Sequence, residues 1–254
     1  MTAKLKGWDN IPAHIETFVH PHAPSFTRDI RRLYAICRGS EAAIRAHLAR
    51  TPFEYVGNEF MVDVADFANR TYPASPGETW GFMDSGIVIP VRYKDILGGY
   101  YLFEYENQDY SIFAGRELWG YPKTFADVTL VEDGPRITGT VVKGGREILK
   151  LEADLDQPIA ALPEIKLGPI LNLYTIPKAD GPGIFSQRII LRDTSSGYHV
   201  KSQKLCRATL ALDSIRLNPL KELGPVEVLG AGFQIADYDM NEEIGWAKVL
   251  ETLV

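Results

Sequence analysis

The sequence predicts a mainly β protein (α+β, with a few short helices) whose strands form one closed or nearly closed sheet. Short segments rich in aromatic and β-branched residues recur along the 254 residues, separated by glycine, proline or aspartate. That pattern is typical of a strand-rich fold. Helical periodicity is scarce, so there are too few helices for parallel βαβ units. Because unpaired sheet edges favour aggregation, so many consecutive strands indicate a closed antiparallel β-barrel.

The predicted elements follow the chain in order. Strands are expected at 31–38, 53–67, 87–93, 100–105, 125–131, 137–142, 147–155, 170–176, 187–192, 206–215 and 226–238. Gly144 and Gly145 supply the positive φ angles of a hairpin turn before the strand at 147–155. Helices are predicted at 40–48, where Ser40 is the N-cap, and at 241–253, where Asn241 is the N-cap.

The chain is expected to form a single domain at 26–254 after an N-terminal extension at 1–25. The clearest internal break is the proline-rich stretch 162–169, but it is short and lies between strand-like segments of similar composition. We therefore interpret 162–169 as a loop that crosses the domain.

Composition and charge favour a small molecule as the partner. A net charge of −6 without long single-sign blocks gives no basic surface for nucleic acid or an anionic membrane. Cys37 and Cys206 lie in apolar, strand-like segments and are predicted to be reduced core thiols. The first residues lack the apolar core of a signal peptide, and no run of about 18 apolar residues occurs. A cytoplasmic location is therefore expected.

The sequence predicts no metal and no nucleotide cofactor. The histidine cluster His14, His20 and His22 lacks a regular helical frame and is interpreted as part of a surface tail. The stretch that begins at Gly230 lacks the third glycine of a dinucleotide fingerprint, because position 235 is isoleucine.

Lys123 is the strongest candidate for a catalytic residue. Trp119, Tyr121, Pro122 and Phe125 surround it in the sequence. A lysine attacks a carbonyl only as the free amine, and at an ordinary pKa near 10.4 only about one in 2,500 is neutral at pH 7. Burial can lower a lysine pKa by about 3 to 5 units. The alternative is an ordinary surface lysine whose apolar stem packs on aromatic rings.

A resemblance to a known family favours the first interpretation. The segment GRELWGYPK at 115–123 resembles the Gly-Arg-Glu-Leu-x-x-Tyr-Pro-Lys signature of the acetoacetate decarboxylase family, whose lysine forms a Schiff base with substrate. The segments at 83–91 (MDSGIVIPV), 172–177 (NLYTIP) and 217–220 (LNPL) are also similar to that family. The resemblance implies a cone-shaped β-barrel, an apolar cavity around the lysine and a homo-oligomer.

Two residues depart from the family pattern. Thr124 stands where the decarboxylases proper carry a second lysine. A cation about 4 Å away would supply about 4 kcal/mol at an effective dielectric of 20, so without it burial has to lower the pKa of Lys123. Asp84 replaces a glutamate and is shorter by one methylene. Both changes favour diverged members that use the same lysine for aldol, dehydration or hydration chemistry.

The resemblance implies Lys123 as the nucleophile, with Asp84 or Glu117 moving protons. It also implies an arginine on an early strand that binds the substrate carboxylate, a role for which Arg28, Arg31 and Arg32 compete. Asp63 is the candidate for a further acid, with Glu59 or Asp66 as alternatives. The substrate-binding candidates are Arg31, Arg28, Arg116, Phe82, Tyr121, Trp119 and Asp63.

The function implied is a lyase that decarboxylates a β-keto acid through a lysine iminium and enamine. The alternative within enzymes is an aldolase-dehydratase or hydratase that acts on a pyruvate-like keto acid through the same lysine. The alternative from another class is a barrel that binds small acids without turnover. No cofactor is required in the enzymatic schemes, because the iminium itself polarises the substrate.

Overall fold

One long sheet runs through residues 24–73 and 76–254, which the computed structural model describes. Its strands are β1 (Ser25–Arg38), β2 (Glu54–Tyr55), β3 (Glu59–Asp66), β4 (Arg70–Thr71), β5 (Met83–Tyr93), β6 (Ile96–Glu106), β7 (Lys123–Phe125), β8 (Asp127–Asp133), β9 (Arg136–Lys143), β10 (Arg146–Pro158), β11 (Ile170–Pro177), β12 (Ile184–Arg192), β13 (Tyr198–Leu212), β16 (Glu227–Met240) and β17 (Lys248–Thr252). A separate two-stranded sheet joins β14 (Ser214–Ile215) to β15 (Asn218–Pro219). The mainly β prediction is confirmed.

Short helices lie between the strands along the chain. They are α1 (Glu41–Leu48), α2 (Asp109–Trp119) and the short α3 (Glu242–Gly245), with 3₁₀ turns at Ser195–Gly197 and Leu220–Leu223. The Ser40 hydroxyl accepts a hydrogen bond from the Ala43 amide, so the predicted N-cap of α1 is confirmed. None of the described helices has the length and apolar composition needed to cross a membrane.

The sheet does not close, so the predicted closed barrel is not confirmed. The main path runs β17-β12-β11-β6-β5-β3-β1-β16-β13-β10-β9-β8, with β2 on β5, β4 on β1 and β7 on β6. Within the described residues, the two end strands β17 and β8 do not pair with each other. The sheet instead curves until β8 and β9 pack over β3. Pairing is antiparallel except where β7 and β11 join β6 in parallel.

The core lies on one face of the central strands, as the alternation of side chains along a strand requires. Val62 and Val64 of β3 and Ile87 and Ile89 of β5 are fully buried in it. Gly139 of β9 sits directly against Val64, where a Cβ atom would be 2.7 Å from a Val64 methyl. Each fully buried aliphatic side chain contributes about 1.5–3 kcal/mol to folding. The intervening residues on these strands face the other way.

The prediction of a C-terminal helix at 241–253 is wrong beyond its first turn. The Asn241 side chain accepts hydrogen bonds from the amides of Glu243 and Ile244, so the predicted cap exists. The helix ends at Gly245, and β17 then pairs antiparallel with β12. Pairing with a neighbouring strand overrides the weak helical pattern of this segment.

The remaining predictions about organisation have different outcomes. The extension at 1–25, with its three histidines, falls almost entirely outside the described residues. The stretch 162–169 has no regular secondary structure before Pro169, as expected of a crossing loop. Its Pro169 carbonyl accepts a hydrogen bond from the Gly99 amide of β6 at 2.9 Å. Cys37 and Cys206 are free and buried, as predicted.

Helix α2 is absent from the predicted elements, because Gln108 provides no side-chain cap and Gly115 interrupts its interior. It ends at Gly120, which has φ +69° and donates its amide to the Arg116 carbonyl. A Cβ at Gly120 would lie 2.8 Å from Tyr174 Cα on β11. Gly120 thus lets the chain reverse tightly against β11 and enter β7.

We predict that Gly120→Ala destabilises the protein more than Gly134→Ala does. Both glycines have a positive φ, but a Cβ at Gly134 would meet no atom within 4 Å. Gly134→Ala should therefore cost only the left-handed strain of about 1–2 kcal/mol, while Gly120→Ala adds about 1–3 kcal/mol of overpacking. Urea denaturation of both variants measures the difference. Equal losses would show that the contact with Tyr174 is unimportant.

Candidate active site

A cavity of about 480 Å³ lies on the face of the sheet that is turned away from the core. Neighbouring strands each contribute a polar side chain to its wall: Arg32 from β1, Asp63 from β3, Asp84 from β5 and Glu104 from β6. This arrangement follows from strand alternation, because Val62 and Val64 on either side of Asp63 point into the core.

A bulge in β6 adds an aromatic residue to the same wall. Ile87 of β5 pairs with Phe103 of β6, whereas the next residue, Val88, pairs with Tyr101. Leu102 is therefore the extra residue of a β-bulge. Because of this extra residue, Tyr101 and Glu104 line the same cavity although they are three positions apart.

Helix α2 and β7 together place Lys123 in the cavity. After α2 the chain turns back, with the Tyr121 amide donating to the Gly115 carbonyl at 3.1 Å. β7 then pairs in parallel with β6 and sets Lys123 beside Glu104. The methylenes of Lys123 lie directly over Gly115, where a Cβ would be 2.4 Å from Lys123 Cδ. The Lys123 side chain is 11% exposed, so the predicted burial is confirmed.

Three carboxylates surround the Lys123 amine. The amine contacts Glu106 closely, lies 3.4 Å from a Glu104 oxygen and lies 3.5 Å from Asp84 Oδ2. Asp84 was predicted from the sequence, but Glu104 and Glu106 were not. The available signal was a pair of acidic residues two positions apart in the apolar run from Tyr100, which puts both on one face of a strand.

We predicted that the pKa of Lys123 lies below its ordinary value, and this prediction is wrong. Burial disfavours the ammonium form, but the negative charges of Glu104, Glu106 and Asp84 outweigh burial, and the pKa of Lys123 lies above its ordinary value. The surroundings of the amine are strongly acidic, whereas an apolar cavity was expected. The physical reason is that β6 brings two carboxylates into reach of the nitrogen.

Asp84 and Glu104, beside the amine, hold protons more tightly than ordinary carboxyl groups do. Burial and the nearby Glu106 raise the pKa of Asp84 to about 7, although Lys123 opposes the shift. Burial, together with the other two carboxylates, also raises the pKa of Glu104 well above its usual range. One oxygen each of Glu104 and Glu106 is buried without a hydrogen-bond partner in the described part of the chain. A carboxyl with a pKa of about 7, such as that of Asp84, is partly protonated at neutral pH.

The same three acids are the residues best suited to hold a cation. Their carboxylate oxygens lie within 4.8 Å of one another, and oxygen ligands suit hard divalent ions. The Lys123 amine already contacts all three acids and supplies the positive charge at this position. Thr124, next on β7, is outside the cavity lining, with its hydroxyl 3.5 Å from the Glu104 carbonyl oxygen.

Arg32 is the early-strand arginine that reaches the cavity. It forms an ion pair with Asp63 at 2.6 Å, and Asp63 also accepts the Gly86 amide at 3.2 Å. Burial raises the pKa of Asp63, although Arg32 opposes the shift. Asp63 therefore lines the cavity as predicted, but Arg32 already neutralises its charge.

The other two predicted candidates, Arg28 and Arg31, lie outside the cavity. Arg28 pairs with Asp239, and Arg31 pairs with Asp66 and with Glu132. Neither arginine lines the cavity. Successive strand residues point to opposite faces, so Arg31 faces away from the side that Arg32 shares with the site.

The signature around Lys123 contributes fewer cavity residues than expected. Phe82, Trp119 and Tyr121 line the cavity, as predicted. Arg116 and Glu117 are exposed on α2 and do not line the cavity. Glu117 is therefore not placed to transfer protons at Lys123. On a helix, Trp119 follows Gly115 by four positions and shares its inward face, while the two residues after Gly115 lie on the outer face.

Two further guanidinium groups line the cavity and were missed. Arg192 lies at the end of β12, and Arg70 lies in β4. In each, Nε is buried without a hydrogen-bond partner in the described residues. No sequence signal sets these two apart from the arginines on the outer surface, because their position depends on which strands become neighbours.

Comparison with known proteins places the chain in a family. A family model described as acetoacetate decarboxylase matches residues 11–249, beginning inside the stretch interpreted as an extension. Acetoacetate decarboxylase of Burkholderia vietnamiensis is 33% identical over 169 residues, which cover 63% of this chain. The aligned region spans 65% of that relative's length.

Solved structures share the fold. A structure described as acetoacetate decarboxylase superposes with a TM-score of 0.77 at 20% identity, covering 92% of both chains. The enduracididine biosynthesis enzyme MppR complexed with pyruvate superposes with a TM-score of 0.73 at 15% identity, also covering 92% of both chains. At these identities the likeness establishes the fold alone. The family match over most of the chain establishes membership, and this protein belongs to the acetoacetate decarboxylase family.

Proposed function

We propose that this protein is a lyase that forms a Schiff base between Lys123 and a small keto acid. The observation that carries the proposal is the buried Lys123 amine at the wall of a cavity large enough for a small metabolite. The amine belongs to the segment that matches the family signature. A lysine with a merely structural charge would not need access to a cavity.

The carboxylates provide the route to a free amine. The ammonium form of Lys123 dominates at neutral pH, because its pKa lies above the ordinary value. Attack on a carbonyl therefore requires transfer of one proton to a neighbouring acid. Asp84, with a pKa of about 7, exchanges protons readily at neutral pH. The acids that stabilise the ammonium are thus also the bases that remove its proton.

The chemical steps balance without another reactant. The amine nitrogen bonds to the keto carbon, and the resulting carbinolamine loses water to give an iminium. The iminium nitrogen then accepts the electron pair of a bond to the adjacent carbon, which gives an enamine. Protonation of the enamine carbon and addition of water release the product and regenerate the amine. The acids beside Lys123 supply and remove the protons.

Three acids beside the amine favour aldolase-dehydratase or hydratase chemistry. Such a reaction removes a proton from the carbon next to the iminium, protonates an aldehyde oxygen on addition and protonates the hydroxyl that leaves as water. These steps need groups that act as both acids and bases near neutral pH, as Asp84 with a pKa of about 7 does, and burial also raises the pKa of the neighbouring Glu104. The fold neighbour MppR is described as complexed with pyruvate. A pyruvate-like keto acid is therefore the first substrate class to test.

Decarboxylation of a β-keto acid is the second candidate. The B. vietnamiensis relative with this name supports it, as does the signature around Lys123. In this reaction the bond to the carboxylate breaks, and its electrons pass to the iminium as carbon dioxide leaves. Only one carbon is then protonated, so a single acid would suffice. Beyond the formation and hydrolysis of the Schiff base, this scheme gives the glutamates on β6 no further role.

We predict that borohydride traps pyruvate or acetoacetate on Lys123. Intact-mass and peptide analysis should find one adduct, absent in Lys123→Met. Lys143→Met is the control at a second lysine. Burial lowers the pKa of Lys143, so it is another candidate for adduct formation, but this variant should trap normally. Parallel incubations without borohydride assign the reaction: pyruvate consumed only with an aldehyde indicates the aldolase type, and carbon dioxide from acetoacetate indicates the decarboxylase. A non-catalytic binding protein would show no adduct with any keto acid.

We predict that Gly115→Ala impairs Schiff-base formation without unfolding the protein. The new methyl would displace the Lys123 methylenes, and misplacement of a reacting group by about 1 Å costs roughly 100-fold in rate. The protein should stay folded with a modestly lower melting temperature, because the gain of about 1 kcal/mol for alanine inside a helix offsets part of an overpacking cost of about 1–3 kcal/mol. Arg116→Ala, on the exposed face of α2, is the control and should trap at the wild-type rate. A normal rate in Gly115→Ala would refute this role for Gly115.

We predict that Glu104→Gln removes part of the pH dependence of stability. Because the pKa of Glu104 is raised in the folded protein, the folded state keeps a proton that the unfolded chain releases above about pH 4.3. Wild-type stability should therefore fall as pH rises, by up to about 1.4 kcal/mol per pH unit from this group. Thermal melts from pH 4 to 8 should show the variant gaining relative to wild type. For Glu117→Gln, at an exposed position, the curve of melting temperature against pH should run parallel to that of the wild type. A parallel curve for Glu104→Gln would contradict a raised pKa of Glu104.

A further inference from the structure

Arg192 is a half-buried cation in the cavity, and none of the acids that the structure describes forms an ion pair with it. Its guanidinium lies 3.8 Å from the centre of the Trp119 ring and 5.9 Å from that of Tyr121. Its polar contacts are the Tyr121 hydroxyl and the Met240 sulfur, which lies 3.7 Å away. The Nε atom is buried and makes no hydrogen bond to any residue that the structure describes.

This environment is costly for an arginine that has no ligand. A buried charge normally requires a counter-ion, and a buried N–H group normally requires an acceptor. A thioether is only a weak acceptor, and an aromatic face compensates only part of the charge. Arg32, on another wall of the same cavity, shows the usual solution, because Asp63 neutralises it. Arg192 has the fork of donors that matches a carboxylate but no carboxylate to bind.

The position of Arg192 relative to Lys123 suits a substrate with two functional groups. The Tyr121 ring centre lies 5.6 Å from the Lys123 amine and 5.9 Å from the Arg192 guanidinium, so both cations border the same aromatic side chain. Asp84, Glu104 and Glu106 gather around Lys123 and disfavour an incoming carboxylate there. Asp193, the cavity acid next to Arg192 in the chain, instead accepts hydrogen bonds from the amide and the hydroxyl of Ser195. The carboxylate is therefore drawn to the guanidinium while the carbonyl reaches the amine.

We propose that Arg192 binds the carboxylate of the substrate and determines the preference of this site for keto acids over neutral ketones. This inference rests on the proposed function for its substrate class. Arg192 is one wall of the binding site, whereas Lys123 makes the covalent bond. Binding of the carboxylate does not require a carbonyl, so the two proposals can be tested separately.

The test uses carboxylates that cannot form a Schiff base. Lactate and 3-hydroxybutyrate, with their neutral methyl esters, are titrated into the protein and followed by ligand-observed NMR. We expect Arg192→Gln to weaken binding of the acids on the order of 10- to 100-fold, as for loss of a charged hydrogen bond, and to leave the esters almost unchanged. Arg192→Lys, which keeps the charge but loses the fork, should be intermediate. Equal weakening of acids and esters, or no weakening, would overturn the proposal.

Arg70→Gln is the matched control, because Arg70 lines the same cavity and also has an unpartnered buried Nε. Acid binding should persist in this variant; its selective loss there and not in Arg192→Gln would assign the carboxylate to Arg70 instead. Melting temperatures confirm that each variant is folded. The acids could bind in an Arg192-dependent way while borohydride gives no adduct on Lys123. That result would refute the Schiff-base function but support the carboxylate site at Arg192.

Discussion

The site depends on one interaction, the contact of the Lys123 ammonium with three largely buried carboxylates. Asp84, Glu104 and Glu106 lie close together on two neighbouring strands, and three uncompensated charges there would strongly destabilise the fold. Lys123 supplies a compensating charge, and burial raises the pKa values of Asp84 and Glu104, so these two carboxyls bind protons more readily than ordinary ones. The tight turn at Gly120 and the absence of a side chain at Gly115 allow the Lys123 amine to reach this position.

The acids around Lys123 stabilise its unreactive ammonium form, whereas an apolar cavity would favour the reactive free amine. An isolated buried lysine becomes reactive because burial lowers its pKa. Here the acids stabilise the ammonium, so in the proposed mechanism a short proton transfer, and not a lowered pKa, produces the free amine. The transfer is made easier by burial of the acceptors, since a carboxyl with a pKa of about 7 is a much closer match to an amine than one in water. The same acids then remain in place to protonate the later intermediates.

The sequence was informative where a local pattern determines the structure. Segments rich in aromatic and β-branched residues predicted most strands, and the sequence around Lys123 predicted its burial and its aromatic neighbours in the cavity wall. It failed where the outcome depends on pairing between distant segments. The C-terminal segment became β17 because β12 was available as a partner, and Arg192 entered the cavity because β12 lies two strands from β6. The choice among Arg28, Arg31 and Arg32 required the register of β1, which a sequence pattern does not fix to one residue.

The charges of the cavity also orient whatever anion enters it. Acids concentrate at the Lys123 amine, while Arg192 and Arg70 line the cavity without forming an ion pair to any described residue. A keto acid in this field has one favourable direction, with its carboxylate at a guanidinium and its carbonyl at the amine, because the reverse orientation places the anion among the acids. In a low-dielectric cavity such a difference is larger than in water. In the proposed mechanism the glutamates of β6 thus have two roles: they exchange protons with the Lys123 nitrogen, and they keep the substrate carboxylate away from it.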